Sequence, residues 1–267
     1  AMIGVPTEEA LRLARNTHAI LTSESHMAAV QDPAAGSGYV EALTGDLAHG
    51  AWGLFQHLEA LDEESSAQHI AEEIQRCAEQ EALAISTRRT GIIGVSEFPN
   101  LGEQLPERER AVGSSPATRL AAPFEELRSH SDAQLARTGK RPTAFLANMG
   151  TQSQFRARTD FASNLLAAGG IEVIENEGFD SVASALGANA TSGADIAIIA
   201  STDALYDDCV PELARGLKGQ GSCVVLAGKP GASENSWRAA GVDHFMHLGC
   251  DAIALLSALQ NAAEVSA

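Results

Sequence analysis

Apolar positions recur every three or four residues through the first third of the chain. Ala10, Leu11, Ala14 and Leu21 form one set, Val40, Leu43, Leu47, Ala51, Leu54 and Leu58 a second, and Ile70, Ile74, Cys77 and Ala78 a third. That spacing places each set on one side of a helix. Thr7 can cap the first helix, with Glu8 and Glu9 near the positive end of its backbone dipole. Asp32-Pro-Ala-Ala-Gly-Ser-Gly38 interrupts the period as a turn, and the third helix is expected over about 68–84. Gly91-Ile-Ile-Gly-Val95 is short, apolar and glycine-flanked, which suits a strand or an extended segment. These helices have little sheet to pack on, as expected of a piece of a larger domain.

Farther along, the pattern changes twice. Residues 97–116 carry three prolines among glycines, serines and charges, with no sustained period, and read as a linker or surface-wrapping arm. Pro123 suits the first turn of a helix that ends near Gly139, where a missing Cβ favours a left-handed cap. From Arg141 onward, strand-like runs at 143–148, 171–175, 195–201, 222–227 and 244–247 alternate with helical segments, the last over about 253–263. Five strands alternating with helices predict an α/β fold: a parallel, doubly wound, five-stranded sheet with helices on both faces and flavodoxin-like strand order. The chain thus divides into 1–96, mainly helical; 97–140, a linker and connecting helix; and 141–267, an α/β domain.

Composition narrows the partners. The 267 residues are 45% apolar, enough for a substantial core, and the formal charge of -17 disfavours nucleic acid and anionic membrane surfaces. Cys77, Cys209, Cys223 and Cys250 lie far apart with no Cys-x-x-Cys pair, which fits packed thiols in a reducing compartment rather than a zinc site. The apolar runs are too short to cross a bilayer and no signal-type segment opens the chain, so a soluble cytoplasmic protein is expected.

In a flavodoxin-like order, ligands bind beyond the carboxyl ends of the strands, at the switch point between the first and third. Three loops count there: 150–158, 201–208 and 228–234. The first offers Thr151, Gln152, Ser153 and Gln154, which hydrogen-bond but do not titrate, followed by Arg156 and Arg158. These side chains suit a helix cap at least as well as a ligand. Ser201 could present a hydroxyl and Asp203 an acid, but both also suit the start of the next helix. Gly228-Lys-Pro-Gly231 allows close backbone approach and supplies Lys229 as a cation; a simple turn explains it equally. His244 and His247 point to opposite faces of a strand and share no metal, and His18, His26, His49, His57, His69 and His130 read as surface residues without a matched carboxylate. No metal site and no catalytic residue is expected.

Several stretches carry a family resemblance. Leu13-Ala-Arg-Asn-Thr-His-Ala-Ile-Leu21, then Glu24-Ser25, Asp32-Pro-Ala-Ala-Gly-Ser-Gly-Tyr-Val-Glu-Ala-Leu-Thr44 and Ala51-Trp52, resemble the end of the substrate barrel in the methylmalonyl-CoA mutase family. There a linker follows, then a cobalamin-type domain whose first strand leads into Met-Gly, as at Met149-Gly150. The resemblance implies that 1–96 is the last part of an acyl-CoA mutase barrel and 141–267 a cobalamin-binding-like domain. It further implies a chain shortened from a longer one, because a complete barrel needs about 200 residues or more.

The family pairs a catalytic large subunit with a related small one. In the catalytic type an Asp-x-His-x-x-Gly loop follows the first strand, Ser-x-Leu the third and Gly-Gly the fourth. Here the first reads Gln152, Gln154 and Ala157, Asp203 stands for the leucine after Ser201, and Lys229 for the second glycine after Gly228. The chain therefore resembles the small, non-catalytic branch. This implies no cofactor on this chain, adenosylcobalamin on a large-subunit partner, and a complex interconverting (R)-methylmalonyl-CoA and succinyl-CoA in propionate metabolism. An exposed apolar face could instead drive self-association. The alternative is a flavodoxin-like module cradling phosphate or flavin with Thr151, Ser153 and backbone amides, although its later loops lack aromatic stacking partners. A phosphoacceptor receiver fits poorly, with Asn148 and Ser201 where acids would be needed.

Overall fold

The computed structural model describes residues 5–103 and 119–265. By compactness the described chain divides into residues 5–78 and a larger unit of 79–103 with 119–265.

The first unit is helical, as the spacing predicts. Helix α1 spans Glu8–Ser23, and the Thr7 hydroxyl accepts the Ala10 N–H at 3.2 Å. Helix α2 spans Gly38–Glu59. Helix α3, Glu63–Ser86, starts earlier than its apolar period suggests because Asp62 caps it, accepting the Ser65 N–H at 2.9 Å. No residue of α1 or α2 is buried. Leu47 and Trp52 remain 66% and 59% exposed, so the apolar sides of these helices lie open to solvent.

The final turns of α3 belong to the second unit, where Ile85 enters the core. Residues 91–95 form no strand, contrary to the sequence reading. Ile92 O accepts the N–H of Val95 and Ser96 at 3.0 Å each, Gly94 takes φ 80°, and Ser96 Oγ accepts the Ile92 N–H. Local hydrogen bonding closes a turn before a ladder can form. The expected linker from residue 104 to 116 lies outside the described residues.

Helix α4, Ala122–Thr138, carries Pro123 in its first turn and ends at Gly139 with φ 77°, as read from the sequence. Strands β1 (Thr143–Asn148), β2 (Glu172–Ile174), β3 (Ile196–Ala200), β4 (Cys223–Ala227) and β5 (His244–Met246) form one parallel sheet in the order β2-β1-β3-β4-β5. This is the flavodoxin-like order. Alternation along the strands separates two cores. Ala144, Leu146, Ile196 and Ile198 face α4, α5 (Gln152–Ala168) and α9 (Ala252–Val265). Phe145, Ala147, Ala197 and Ile199 face α6 (Val182–Ser192), α7 (Asp203–Gly219) and α8 (Glu234–Ala240). Buried Gln260 on α9 binds α4 and the end of α5 together, donating to Leu127 O and Gly169 O at 2.7 Å each.

Two readings of single residues need correction. Cys77 is exposed, not packed, because none of the described elements covers α3 there; the other three cysteines are partly buried. His130 does have a carboxylate: the carboxyl-terminal turns of α9 bring Glu264 to 3.3 Å from its Nε2. No helix among the described residues is long and apolar enough to cross a membrane.

Burial pushes the thiols of Cys209 and Cys223 up to about 11. Since the thiolate is the nucleophile, both should alkylate slowly at neutral pH while exposed Cys77 reacts first. Timed iodoacetamide labelling with peptide mapping checks the order; early modification of Cys209 or Cys223 would contradict it.

Candidate functional site

Beyond β1 the chain turns sharply at Gly150, φ 88°. The positive φ favours glycine, and a Cβ there, 2.5 Å from Gln154 Oε1 and 3.1 Å from Leu205 Cδ1, would also displace those two side-chain ends. The close contact arises because Gln154 folds back. Its Oε1 accepts the Thr151 N–H at 2.8 Å and the Thr151 hydroxyl at 2.9 Å, occupying it with the start of α5. Gln152, Ser153 and Ala157 are exposed on α5, and Arg156 pairs along the helix with Asp160 at 2.9 Å. Of the three altered loop positions, Gln152 and Ala157 are thus exposed and Gln154 is turned back onto Thr151.

Beyond β3, Ser201 is fully buried. Its hydroxyl donates to Met149 O at 2.8 Å, joining the ends of β3 and β1, so it is not available to a ligand as the sequence allowed. Asp203 opens α7 and is exposed, a favourable place for a carboxylate at a helix amino end. Beyond β4, Gly228 is followed by exposed Lys229.

What connects these loops is a pair of residues whose roles the sequence did not reveal. Arg158 reaches from α5 across the crevice to α7, where its Nη2 donates to Asp203 Oδ1 at 2.6 Å. Its guanidinium lies 4.8 Å over the ring of Tyr206, which is completely buried in the first turns of α7. The Tyr206 hydroxyl donates to Ala227 O at 2.6 Å and accepts the Ser201 N–H at 3.1 Å, joining the ends of β3 and β4. Trp237 packs edge-on against the ring, with centroids 5.9 Å apart. A Cβ on Gly228 would sit 3.2 Å from both Arg158 Nη1 and Tyr206 Cε2. Arg158, Tyr206 and the Gly228 backbone therefore fill the space beyond the ends of β1, β3 and β4. The signals were slight: a second arginine after Gln154, and one of only two tyrosines in the chain.

Burial sets the electrostatics here and leaves Arg158 Nη1 shielded without an acceptor. Burial raises the Tyr206 phenol, against the smaller opposing effect of Arg158. Burial also works against the Arg158 charge, but hydrogen bonding to Asp203 and Tyr206 outweighs it and raises its pKa. His244 is held below its ordinary value by burial. Among the described residues, no three His, Cys, Asp or Glu side chains cluster as metal ligands.

Removing the phenol oxygen tests the packing. Tyr206→Phe leaves the buried Ser201 N–H without its acceptor and should destabilise the second unit by about 1–3 kcal/mol, read from the urea midpoint. The pH dependence has a definite sign. A phenol raised by burial gives its full stability contribution below the unfolded value near 10 and loses it as pH rises through the folded value. Alkaline unfolding should therefore depend more weakly on pH above 10 in Tyr206→Phe; unchanged profiles would contradict this.

Residues 1–153 match the family model described as Methylmalonyl-CoA mutase. The methylmalonyl-CoA mutase small subunit of Streptomyces virginiae is 40% identical over 263 residues, covering 96% of this chain and 42% of the relative. A "Probable methylmalonyl-CoA mutase small subunit" of Mycobacterium tuberculosis (strain ATCC 25618 / H37Rv) is 45% identical over 224 residues, 82% of this chain and 36% of the relative. The chain thus spans less than half the length of these relatives. A cobalamin-binding protein of Desulfitobacterium hafniense DCB-2 overlays 52% of this chain and 67% of its own, at a TM-score of 0.38 and 21% identity.

Proposed function

The chain belongs to the methylmalonyl-CoA mutase family, and from that premise we propose that it is part of a non-catalytic small subunit, supporting a large subunit that interconverts (R)-methylmalonyl-CoA and succinyl-CoA. The observation that carries this reading is the filled crevice. Arg158 and Tyr206 occupy the space where a switch-point ligand would enter, and Gln154 is engaged with Thr151. A corrin cofactor does not fit that set. Glutamine is a poor cobalt ligand beside imidazole, and Asp203 and Lys229 put charges where an apolar macrocycle would lie. Adenosylcobalamin belongs to the large subunit in this proposal, and no step of the reaction runs through this chain.

Residues 1–96 then represent the end of an acyl-CoA mutase barrel, 97–140 a linker with its connecting helix, and 141–267 a cobalamin-binding-like domain that no longer holds its cofactor. The exposed apolar side chains of α1 and α2 support the first assignment, since barrel helices bury such a side against strands. The complex is cytoplasmic in this proposal, consistent with free cysteines and with a net charge that repels anionic surfaces. A phosphate- or flavin-binding module is less well supported, because Thr151 is already hydrogen-bonded to both Ser153 and Gln154.

Two measurements test the proposal. Mixed with adenosylcobalamin and passed through gel filtration, the chain should elute without corrin absorbance; stoichiometric retention would overturn the non-binding assignment. Sedimentation velocity of the isolated chain should show concentration-dependent association that Leu47→Glu with Leu54→Glu abolishes, since both leucines are exposed on α2. A parent chain that stays monomeric throughout would remove the assignment of α2 as a face needing cover.

A further inference from the structure

Two histidines that read as separate surface residues in the sequence meet in the first unit. His57 lies in the last turn of α2 and His69 in the second turn of α3, and their ring centres are 4.8 Å apart with the planes at 64°. Among the described residues, neither imidazole is engaged by a hydrogen bond or an ion pair. His57 is exposed and His69 partly so, and both reach solvent.

The hairpin that brings them together is closed by local hydrogen bonds. The Ala60 N–H donates to His57 O at 3.2 Å and the Leu61 N–H to Leu58 O at 3.1 Å. Asp62 accepts the Ser65 N–H at 2.9 Å and the Ser65 hydroxyl at 3.0 Å, which fixes where α3 begins. Two imidazoles that share a zinc ion, through Zn–N bonds of about 2.0–2.1 Å at a near-tetrahedral angle, have ring centres roughly 5 Å apart. Such coordination leaves the twist about each Zn–N bond free, so the 64° between the planes is compatible with it. The neighbouring charges also favour a cation. Glu72 and Glu73 stand one turn along α3 from His69, and the Glu73 carboxyl is held below its ordinary value first by its hydrogen bond to Arg76 and more weakly by His69.

We propose that His57 and His69 chelate a zinc-class divalent cation and so staple α2 to α3. Imidazole nitrogens select zinc and its neighbours over magnesium and calcium, which take oxygen ligands. Water completes the coordination shell, because no third His, Cys, Asp or Glu among the described residues joins the pair. The site is therefore open and exchangeable, unlike a closed structural zinc centre. Its consequence is local. No residue of α2 is buried, so packing gives the hairpin little, and a metal bridge between its two helices acts directly on its opening. This site is independent of the cofactor reading above.

The probe is Zn²⁺ alone, titrated into the ¹⁵N-labelled full chain in competition with a chromophoric chelator. Saturable binding that shifts the His57 and His69 ring nitrogens together is expected, with no competition from Mg²⁺. Either His57→Gln or His69→Gln should weaken Zn²⁺ about a hundredfold, since each leaves a single ligand. Cys77→Ser, which removes the exposed thiol of α3, should leave the affinity unchanged. With Zn²⁺ at about ten times its dissociation constant, hydrogen exchange of the Ala60 and Leu61 amides should slow about tenfold. Non-saturable binding, loss of binding in Cys77→Ser, full affinity in either histidine variant, or binding without slower exchange would each overturn the proposal. If His69→Gln fails to fold, His57→Gln, at the exposed position, decides the matter.

Discussion

The carboxyl edge of the sheet depends on one buried phenol. The Tyr206 hydroxyl joins Ala227 O, at the end of β4, to the Ser201 N–H, at the end of β3, and Ser201 Oγ in turn holds Met149 O beyond β1. Three adjacent strands are thereby tied together at the end where α/β sheets usually open to a ligand. A parallel sheet leaves its last carbonyls and amides unpaired at that end, and burial makes unpaired groups expensive. A side chain reaching in from α7 satisfies two of them, the Ala227 carbonyl and the Ser201 amide. The ring then provides the floor on which Arg158 lies and the wall that Gly228 passes closely, a Cβ there falling 3.2 Å from Tyr206 Cε2.

Magnitudes show which contact closes the crevice. The Arg158–Asp203 pair is the more conspicuous, but Asp203 has 82% of its side chain exposed. An ion pair that wet contributes about 0–1 kcal/mol and weakens with salt. A fully buried aromatic side chain with two hydrogen bonds is worth several times more, about 3–5 kcal/mol on truncation to alanine. Arg158 is a cover laid over a floor that Tyr206 secures. Loss of the pair would loosen the cover, whereas loss of the ring would open the sheet edge.

The sheet was legible from sequence because its residues obey a short-range rule. Runs such as Ile196-Ala-Ile-Ile-Ala200 are flanked by turn residues and repeat often enough to dictate parallel pairing, and Gly139 announced the end of α4. Individual loop positions, Gln154 and Lys229 among them, were legible as departures from the family resemblance. The contacts that the loops make with one another were not. Arg158 and Asp203 are 45 residues apart, and Tyr206 meets Ala227 across 21. No local period records such pairings, since they follow from the strand order. The turn at Ile92 was misread for the opposite reason: its hydrogen bonds are local, but a buried serine hydroxyl, not an apolar alternation, decides them.

The helical unit shows where periodicity stops being informative. Val40, Leu43, Leu47 and Leu54 recur as a core-facing set should, and α2 forms over 22 residues as they require. Yet they remain exposed, while the equally regular apolar residues of α9, Leu255, Leu256 and Leu259, are buried against the sheet. A period states only that a helix has an apolar side. Whether that side is covered depends on a partner surface, and the stabilisation at stake is considerable, about 1.5–3 kcal/mol for each large side chain fully buried. Within the second unit the sheet supplies the surface, so strand and helix patterns confirm each other. For α2 no comparable layer lies among the described residues 5–78, so the same kind of apolar side stays open to solvent.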